Sequence, residues 1–227
     1  MKFSLPRRLA AEFLGTAFLV AAVIGSGIMG ERLSAGNVAL ALLANTLATA
    51  AALVPLILIF RPISGAHLNP AVSMAEAFLR GIKLRDACLY IIAQIGGGIF
   101  GAACADIMFA LPPFTVSHRT RSGMPQWFSE FVATFGLILV IRACARFEPN
   151  WLPVAVACYI AAAYWFTAST SFANPAVTIA RSLSDTFAGI RPADVFPFVA
   201  AQFAGGFSAA FVFEWLTPQS GNARIEP

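Results

Sequence analysis

Charge is what this sequence has least of. Only 11% of its 227 residues are Asp, Glu, Lys or Arg, less than half the roughly 25% typical of soluble domains. With 59% hydrophobic residues and a mean hydropathy of +0.76, a water-soluble globule is excluded and an integral membrane protein is implied. Basic residues never gather into a run interleaved with aromatics, so nucleic acid is not expected as a partner. No nucleophile and base stand together in a recognisable pattern, and histidine occurs only at His67 and His118. No catalytic residue, metal site or cofactor is therefore expected, and the chain does not read as an enzyme. The four cysteines, Cys88, Cys104, Cys144 and Cys158, fall singly in apolar stretches without Cys-x-x-Cys spacing. Buried small-residue packing is their expected role, since a thiolate site for a soft metalloid would need two or three of them on adjacent helix faces.

What the sequence does have is long apolar runs, at about residues 9–29, 37–60, 86–111, 127–145, 151–170 and 194–216. Each is near the ~20 residues that a spanning helix needs, which predicts an all-α membrane protein of six spans. The first run follows Lys2, Arg7 and Arg8 like a signal peptide, but it is longer than a signal core and carries Glu12, so it reads as a retained helix. Basic residues accumulate on the cytoplasmic side of short connections. With both termini inside, that side holds Lys2, Arg7, Arg8, Arg61, Arg80, Lys83, Arg85, Arg142, Arg146 and Arg224, and the other holds Arg32, Arg119, Arg121, Arg181 and Arg191. The asymmetry favours cytoplasmic N- and C-termini, and the net charge of +4 reads as topology.

The chain also repeats itself. Glu12-Phe-Leu-Gly-Thr16 opens the first span much as Glu130-Phe-Val-Ala-Thr134 opens the fourth, and "IIAQIGGGIFGA" in the third resembles "FVAAQFAGGFSAA" in the sixth, aligning Gln94 with Gln202. Three spans per half is an odd number, so the second half must be inverted, a plan that many transport proteins use. The halves run over about 1–110 and 127–227 within a single channel domain, 1–227, joined by the proline-containing linker 111–126, which is predicted to be external.

Between the repeated flanks, each half carries one Asn-Pro-Ala: Asn69-Pro70-Ala71 in "SGAHLNPAVSMAEAF" and Asn174-Pro175-Ala176 in "SFANPAVTIARSL". Asn is a good N-cap and Pro suits the first helical position, so each tripeptide starts a helix, at about 70–79 and 175–184. Ten residues rise ~15 Å, half of the ~30 Å hydrocarbon core, so both are half-spans. Irregular backbone at that depth is tolerated only where protein or a water-filled cavity satisfies it. Inversion brings the two helix N-termini together near the midplane, where their partial positive charges oppose cations and protons. The asparagine oxygens cap the helices while their amides offer hydrogens to the lumen.

Two Asn-Pro-Ala motifs on half-helices within a six-span inverted repeat resemble the aquaporin, or major intrinsic protein, family, and the resemblance covers nearly the whole chain. It implies a passive channel in the cell's inner (plasma) membrane, a homotetramer with one pore per subunit, small neutral solutes as partners besides the lipid bilayer, and no cofactor. The small-x-x-x-small pairs Gly97/Gly101 and Gly205/Ala209 suit the close helix packing of such an assembly. Family members carry an arginine directly after the second Asn-Pro-Ala; here that residue is Val177. By spacing, the other filter positions fall on Thr49, Ala162 and Ser171, where water-selective relatives place an aromatic (near Thr49) and a histidine (near Ala162). Thr49, Ala162, Ser171 and Val177 together predict a wide, neutral filter that passes solutes larger than water. Thr49 and Val177 resemble the AqpS-type bacterial arsenic-resistance channels, which implies arsenite and methylated arsenicals alongside glycerol-like polyols and water.

Arg181, four residues beyond Val177, lies ~6 Å further out on the same helix face. It either makes the external mouth electropositive or pairs with Asp185 at the surface. Glu12 and Glu130 read as acceptors for backbone N–H groups of the re-entrant loops rather than as proton-coupling carboxylates. His67 either lines the cytoplasmic half of the pore or caps loop backbone. A channel leads over a general water and glycerol facilitator of the same fold, a proton-coupled secondary transporter, and a structural membrane protein.

Overall fold

The computed structural model describes residues 3–217; Lys2 and Arg224, used above for orientation, lie outside them. Eight helices make up the described chain: α1 (Leu5–Leu33), α2 (Val38–Ser64), α3 (Pro70–Phe78), α4 (Leu84–Met108), α5 (Met124–Phe147), α6 (Leu152–Phe166), α7 (Pro175–Arg181) and α8 (Pro192–Leu216). The order long, long, short, long occurs twice. Five helices are long and apolar enough to cross a bilayer. The sixth, α6, has 15 residues, about 22 Å of rise. It is shorter than its apolar run because Thr167, Ser169, Thr170 and Ser171 take the chain out of the helix: the Thr167 hydroxyl turns back onto the Ala163 carbonyl, and Ser169 Oγ accepts the N–H of Ser171. Such local bonds compete with helix continuation.

The half-helices begin where the capping residues dictate. Asn69 Oδ1 accepts the N–H of Ala71, and Asn174 Oδ1 accepts those of Ala176 and Val177, with Pro at the first turn of each. Their far ends are less uniform. α3 has nine residues, whereas α7 stops at Arg181 after seven instead of reaching 184. Ser182 Oγ closes on the Ile179 carbonyl and Ser184 Oγ is pulled to Asp106 Oδ1 on α4.

In each half, the first long helix packs against the last, α1 on α4 and α5 on α8. Glycine sets the approach: a Cβ at Gly97 or Gly101 would sit on the carbonyl oxygens of Phe13 or Ala17, and one at Gly205 on that of Phe131. These small-residue faces are therefore spent inside the subunit and are not free for contacts between subunits. Gly101→Val is expected to lower stability by about 1–3 kcal/mol through overpacking, read as a fall in the thermal unfolding midpoint of the detergent-solubilised protein. An unchanged midpoint would mean that α1 and α4 do not meet there.

None of the four cysteines is fully buried. Cys88 and Cys158 are exposed, and Cys104 and Cys144 half-buried. In a bilayer the medium outside the helices is itself apolar, so no hydrophobic force draws a small apolar side chain inward. Among the described residues, no three His, Cys, Asp or Glu side chains group as a metal site.

Candidate functional site

Where α3 and α7 meet, their caps are stitched to each other. Asn69 Nδ2 donates to the Ala173 carbonyl at 2.8 Å and Asn174 Nδ2 to the Leu68 carbonyl at 2.8 Å. Each amide thus spends one hydrogen on the opposite loop and keeps one, and both asparagines border a cavity of about 370 Å³. The cavity is elongated. Its lining runs from Arg61, Glu76 and Arg142, on the side of the termini, past Asn69 and Asn174, to Tyr164, Ser171 and Arg181 on the linker side. Apolar side chains of Leu19, Val23, Leu53, Ile57, Val156 and Ile160 border it, and so do residues 65–68 and 171–173 of the two re-entrant loops.

These loops hold an unusual backbone. The residues three and one before each asparagine, Ala66 and Leu68 in one half and Ser171 and Ala173 in the other, have φ of 50°, 49°, 49° and 48°. Left-handed backbone costs a non-glycine residue about 1 kcal/mol or more and persists only where its surroundings enforce it. The enforcement comes from two fully buried carboxylates. Glu12 accepts the N–H groups of His67 at 3.0 Å and Leu68 at 2.7 Å, the Gln94 amide at 2.8 Å and the Ser64 hydroxyl. Glu130 accepts those of Phe172 at 2.9 Å and Ala173 at 2.8 Å, and the Gln202 amide at 2.6 Å. The same glutamines also donate to Ser73 and Thr178, four residues after each asparagine. His67 lines the cavity, with Nδ1 3.1 Å from Ser73 Oγ and its ring edge-on to Tyr90.

The predicted filter is only partly assembled. Thr49, Ser171 and Val177 line the cavity, all less than 5% exposed. Ala162 does not: it is exposed on the outer face of α6. The lumen face of that helix follows the spacing Val156, Ile160, Tyr164, and Ala162 lies half a turn away from it. Counting back from Asn174 through an irregular loop missed the register by two residues, whereas the apolar i, i+4, i+8 series on α6 marks the correct face. In place of a methyl, α6 presents the phenol of Tyr164, whose hydroxyl donates to Thr49 Oγ1 at 3.3 Å. At this level of the cavity, α6 therefore contributes a phenol where the sequence suggested a methyl.

Arg181 is also not at the surface. It is 2% exposed, borders the cavity, lies over the Phe172 ring with Cζ 3.3 Å from the centroid, and donates from Nε to the Ala188 carbonyl. Its expected partner Asp185 binds His118 instead, through the backbone N–H at 2.9 Å and ring Nδ1 at 3.0 Å. These bonds hold the Asp185 carboxyl below its ordinary range. A second arginine, which the sequence offered only as a topology charge, comes from the linker. Arg121 donates to the carbonyls of Gly189, Ser169 and Phe187 and lies over Phe172 at 4.9 Å, and burial pulls its guanidinium down to about 10. On the opposite side, Arg142 bridges Glu76 at 3.0 Å and Glu214 at 3.2 Å.

Comparison with known proteins decides the family. Residues 1–153 match the Major intrinsic protein family. The chain belongs to the major intrinsic protein family. Aquaglyceroporin AqpS of Rhizobium meliloti (strain 1021) is 54% identical over 215 residues, covering 95% of this chain and 92% of that protein. Aquaporin AqpM of Methanothermobacter thermautotrophicus is 30% identical, covering 95% and 99%. The X-ray structure of the aquaglyceroporin from Plasmodium falciparum shares the fold, with a TM-score of 0.72 at 23% identity over 95% of this chain and 98% of that one. This member is thus a multi-pass membrane channel of the aquaglyceroporin type for small solutes, and not an enzyme.

Proposed function

We propose that the chain, as one channel domain of two inverted repeats, passively conducts uncharged solutes of about glycerol size: polyols, arsenite and methylated arsenicals, with water. The observation that carries this reading is the mixed lining of the cavity, with apolar side chains of α1, α2 and α6 together with the polar re-entrant loops and the two asparagine amides. A polyol or a trihydroxide lays its carbon or arsenic side on the first and its hydroxyls on the second. The filter position of Val177 lacks the family's arginine, and the relative AqpS carries the name aquaglyceroporin. In this reading the termini are cytoplasmic, the linker is outside, and four copies assemble in the inner membrane. A general water and glycerol facilitator is the nearest alternative. Shrinkage and reswelling of reconstituted vesicles under glycerol and arsenite gradients test the proposal; protein-dependent water flux without solute flux would overturn it.

Cation exclusion is assigned to the paired caps. Each asparagine keeps one amide hydrogen for the lumen, and the N-termini of α3 and α7 both turn their partial positive charge toward it. Asn174→Asp retains an oxygen for the Ala176 and Val177 N–H groups but loses the donor to Leu68 and adds a charge of the opposite sign. Cation leak across vesicles, followed with a membrane-potential dye, is expected to rise about tenfold or more. Unchanged exclusion would assign the barrier to Arg181 and Arg121 instead.

A further inference from the structure

The side of the molecule that carries the termini holds its positive charge unevenly. Around α5 and α8 the described cations are committed: Arg142 to Glu76 and Glu214, Arg146 to the Thr217 carbonyl, and Arg61, reaching from α2, to the Pro149 carbonyl. At the other corner, where α1 and α4 begin, Arg8 closes on Asp86 at 2.9 Å. Arg7 and Arg85 stand next to that pair in the chain, and Arg80 and Lys83 lie in the turn that leads into α4. All four are exposed, and their side chains make no ion pair or hydrogen bond among the described residues. The nearest carboxylates along the chain, Glu76 and Asp86, are already spent on Arg142 and Arg8. Membrane topology explains why basic residues lie on this side. It does not explain why the uncompensated ones gather at one corner.

We infer that the α1–α4 corner binds an anionic phospholipid of the leaflet on the side of the termini. The inference is independent of which solute the channel passes. Helix spacing places a lipid-facing stripe after each cation: Ala10, Leu14 and Phe18 follow Arg7, and Cys88 and Ile92 follow Arg85, all of them exposed. The two helices touch through Gly97 and Gly101, and Phe13 of α1 meets Phe100 of α4 at 5.7 Å, so both stripes border one seam. Long basic side chains reach the level of the headgroups while their stems stay on apolar surface. The lipid phosphate sits on Arg7 and Arg85, Arg80 and Lys83 add to the field, and the acyl chains lie along the stripes. A zwitterionic lipid brings its own cation and gains less. A free phosphate has no chains for the stripes.

The test is titration of the detergent-solubilised protein with phosphatidylglycerol against phosphatidylcholine of the same acyl chains, read by native mass spectrometry and as the thermal unfolding midpoint. Phosphatidylglycerol is expected to bind about tenfold more tightly and to raise the midpoint, and added salt is expected to weaken it. Arg7→Gln with Arg85→Gln is expected to raise the apparent Kd about tenfold, and Arg80→Gln with Lys83→Gln about threefold. Arg7→Lys with Arg85→Lys is expected to stay near wild type, since a point charge suffices for a phosphate. Arg61→Gln with Arg146→Gln removes the same charge elsewhere on this side and is expected to change the Kd by less than about twofold. An equal loss in that pair would reduce the effect to net charge and overturn the site, as would equal binding of phosphatidylcholine. Inorganic phosphate that stabilises as strongly as the lipid would assign the corner to a free anion, and poly-glutamate that stabilises more strongly would assign it to an acidic protein; either overturns the lipid reading. None of these readouts uses solute flux, so the site and the channel reading fail separately.

Discussion

Val177→Arg is expected to cut glycerol permeability by about tenfold or more while water permeability falls only a few-fold, because sieving acts on solute diameter. Val177 is 4% exposed and shares the cavity with Thr49, Tyr164 and Ser171. An arginine there extends well beyond the valine methyls into a lumen that Tyr164 already narrows. It also lies one helical turn from Arg181, and two cations on one face repel, so the new side chain is pushed toward the lumen rather than along the wall. Thr49→Phe combined with Val177→Arg is expected to favour water further, since the aromatic closes the opposite side at the cost of the Tyr164 hydrogen bond. Both variants are read as glycerol-to-water permeability ratios at matched protein density. A ratio that stays at the wild-type value in folded protein would remove these residues from the constriction, and the wide-filter argument for arsenicals with them.

Glu130→Gln is expected to have the largest effect on stability, about 3–5 kcal/mol, because it turns one arm of a buried acceptor into a donor. Glu130 receives Phe172 N–H on one oxygen and both Ala173 N–H and the Gln202 amide on the other. A glutamine meets donors with an NH2 group whichever way it is flipped, leaving at least one buried N–H unpaired. The loop it holds contains Ser171 and Ala173 in left-handed backbone, strain that is released once the brace is gone. Glu12→Gln is expected to behave alike, since Glu12 collects four donors. Thermal unfolding midpoints and the folded fraction recovered in detergent measure this. A midpoint within a degree or two of wild type for both variants would show that the loops stand without the carboxylates.

Much of this molecule is local, and what is local is legible in the sequence. Apolar length marks six membrane helices, five of them long enough to cross a bilayer and α6 shorter, because an unpaired peptide group cannot remain in hydrocarbon. Asn-Pro determines where α3 and α7 begin, because a cap acts over two or three residues. The duplication of Glu12 with Glu130, and of Gln94 with Gln202, reveals two equivalent halves before any contact is known. Features that depend on two distant segments are different. That α7 ends at Arg181 depends on Asp106 of α4 drawing Ser184 away. That Asp185 is unavailable to Arg181 depends on His118, 67 residues earlier. That α6 offers Tyr164 to the lumen, not Ala162, depends on the number of residues that the loop after it consumes, and an irregular backbone has no fixed rise from which to count. The sequence alone therefore determined the class, the inverted halves and the paired caps, where short-range bonding and hydrophobic length are enough. Tertiary structure alone decided the lining of the cavity and its charge, because they are made where helices and loops far apart in the chain converge on one small volume, and a two-residue shift in register exchanges a methyl for a phenol.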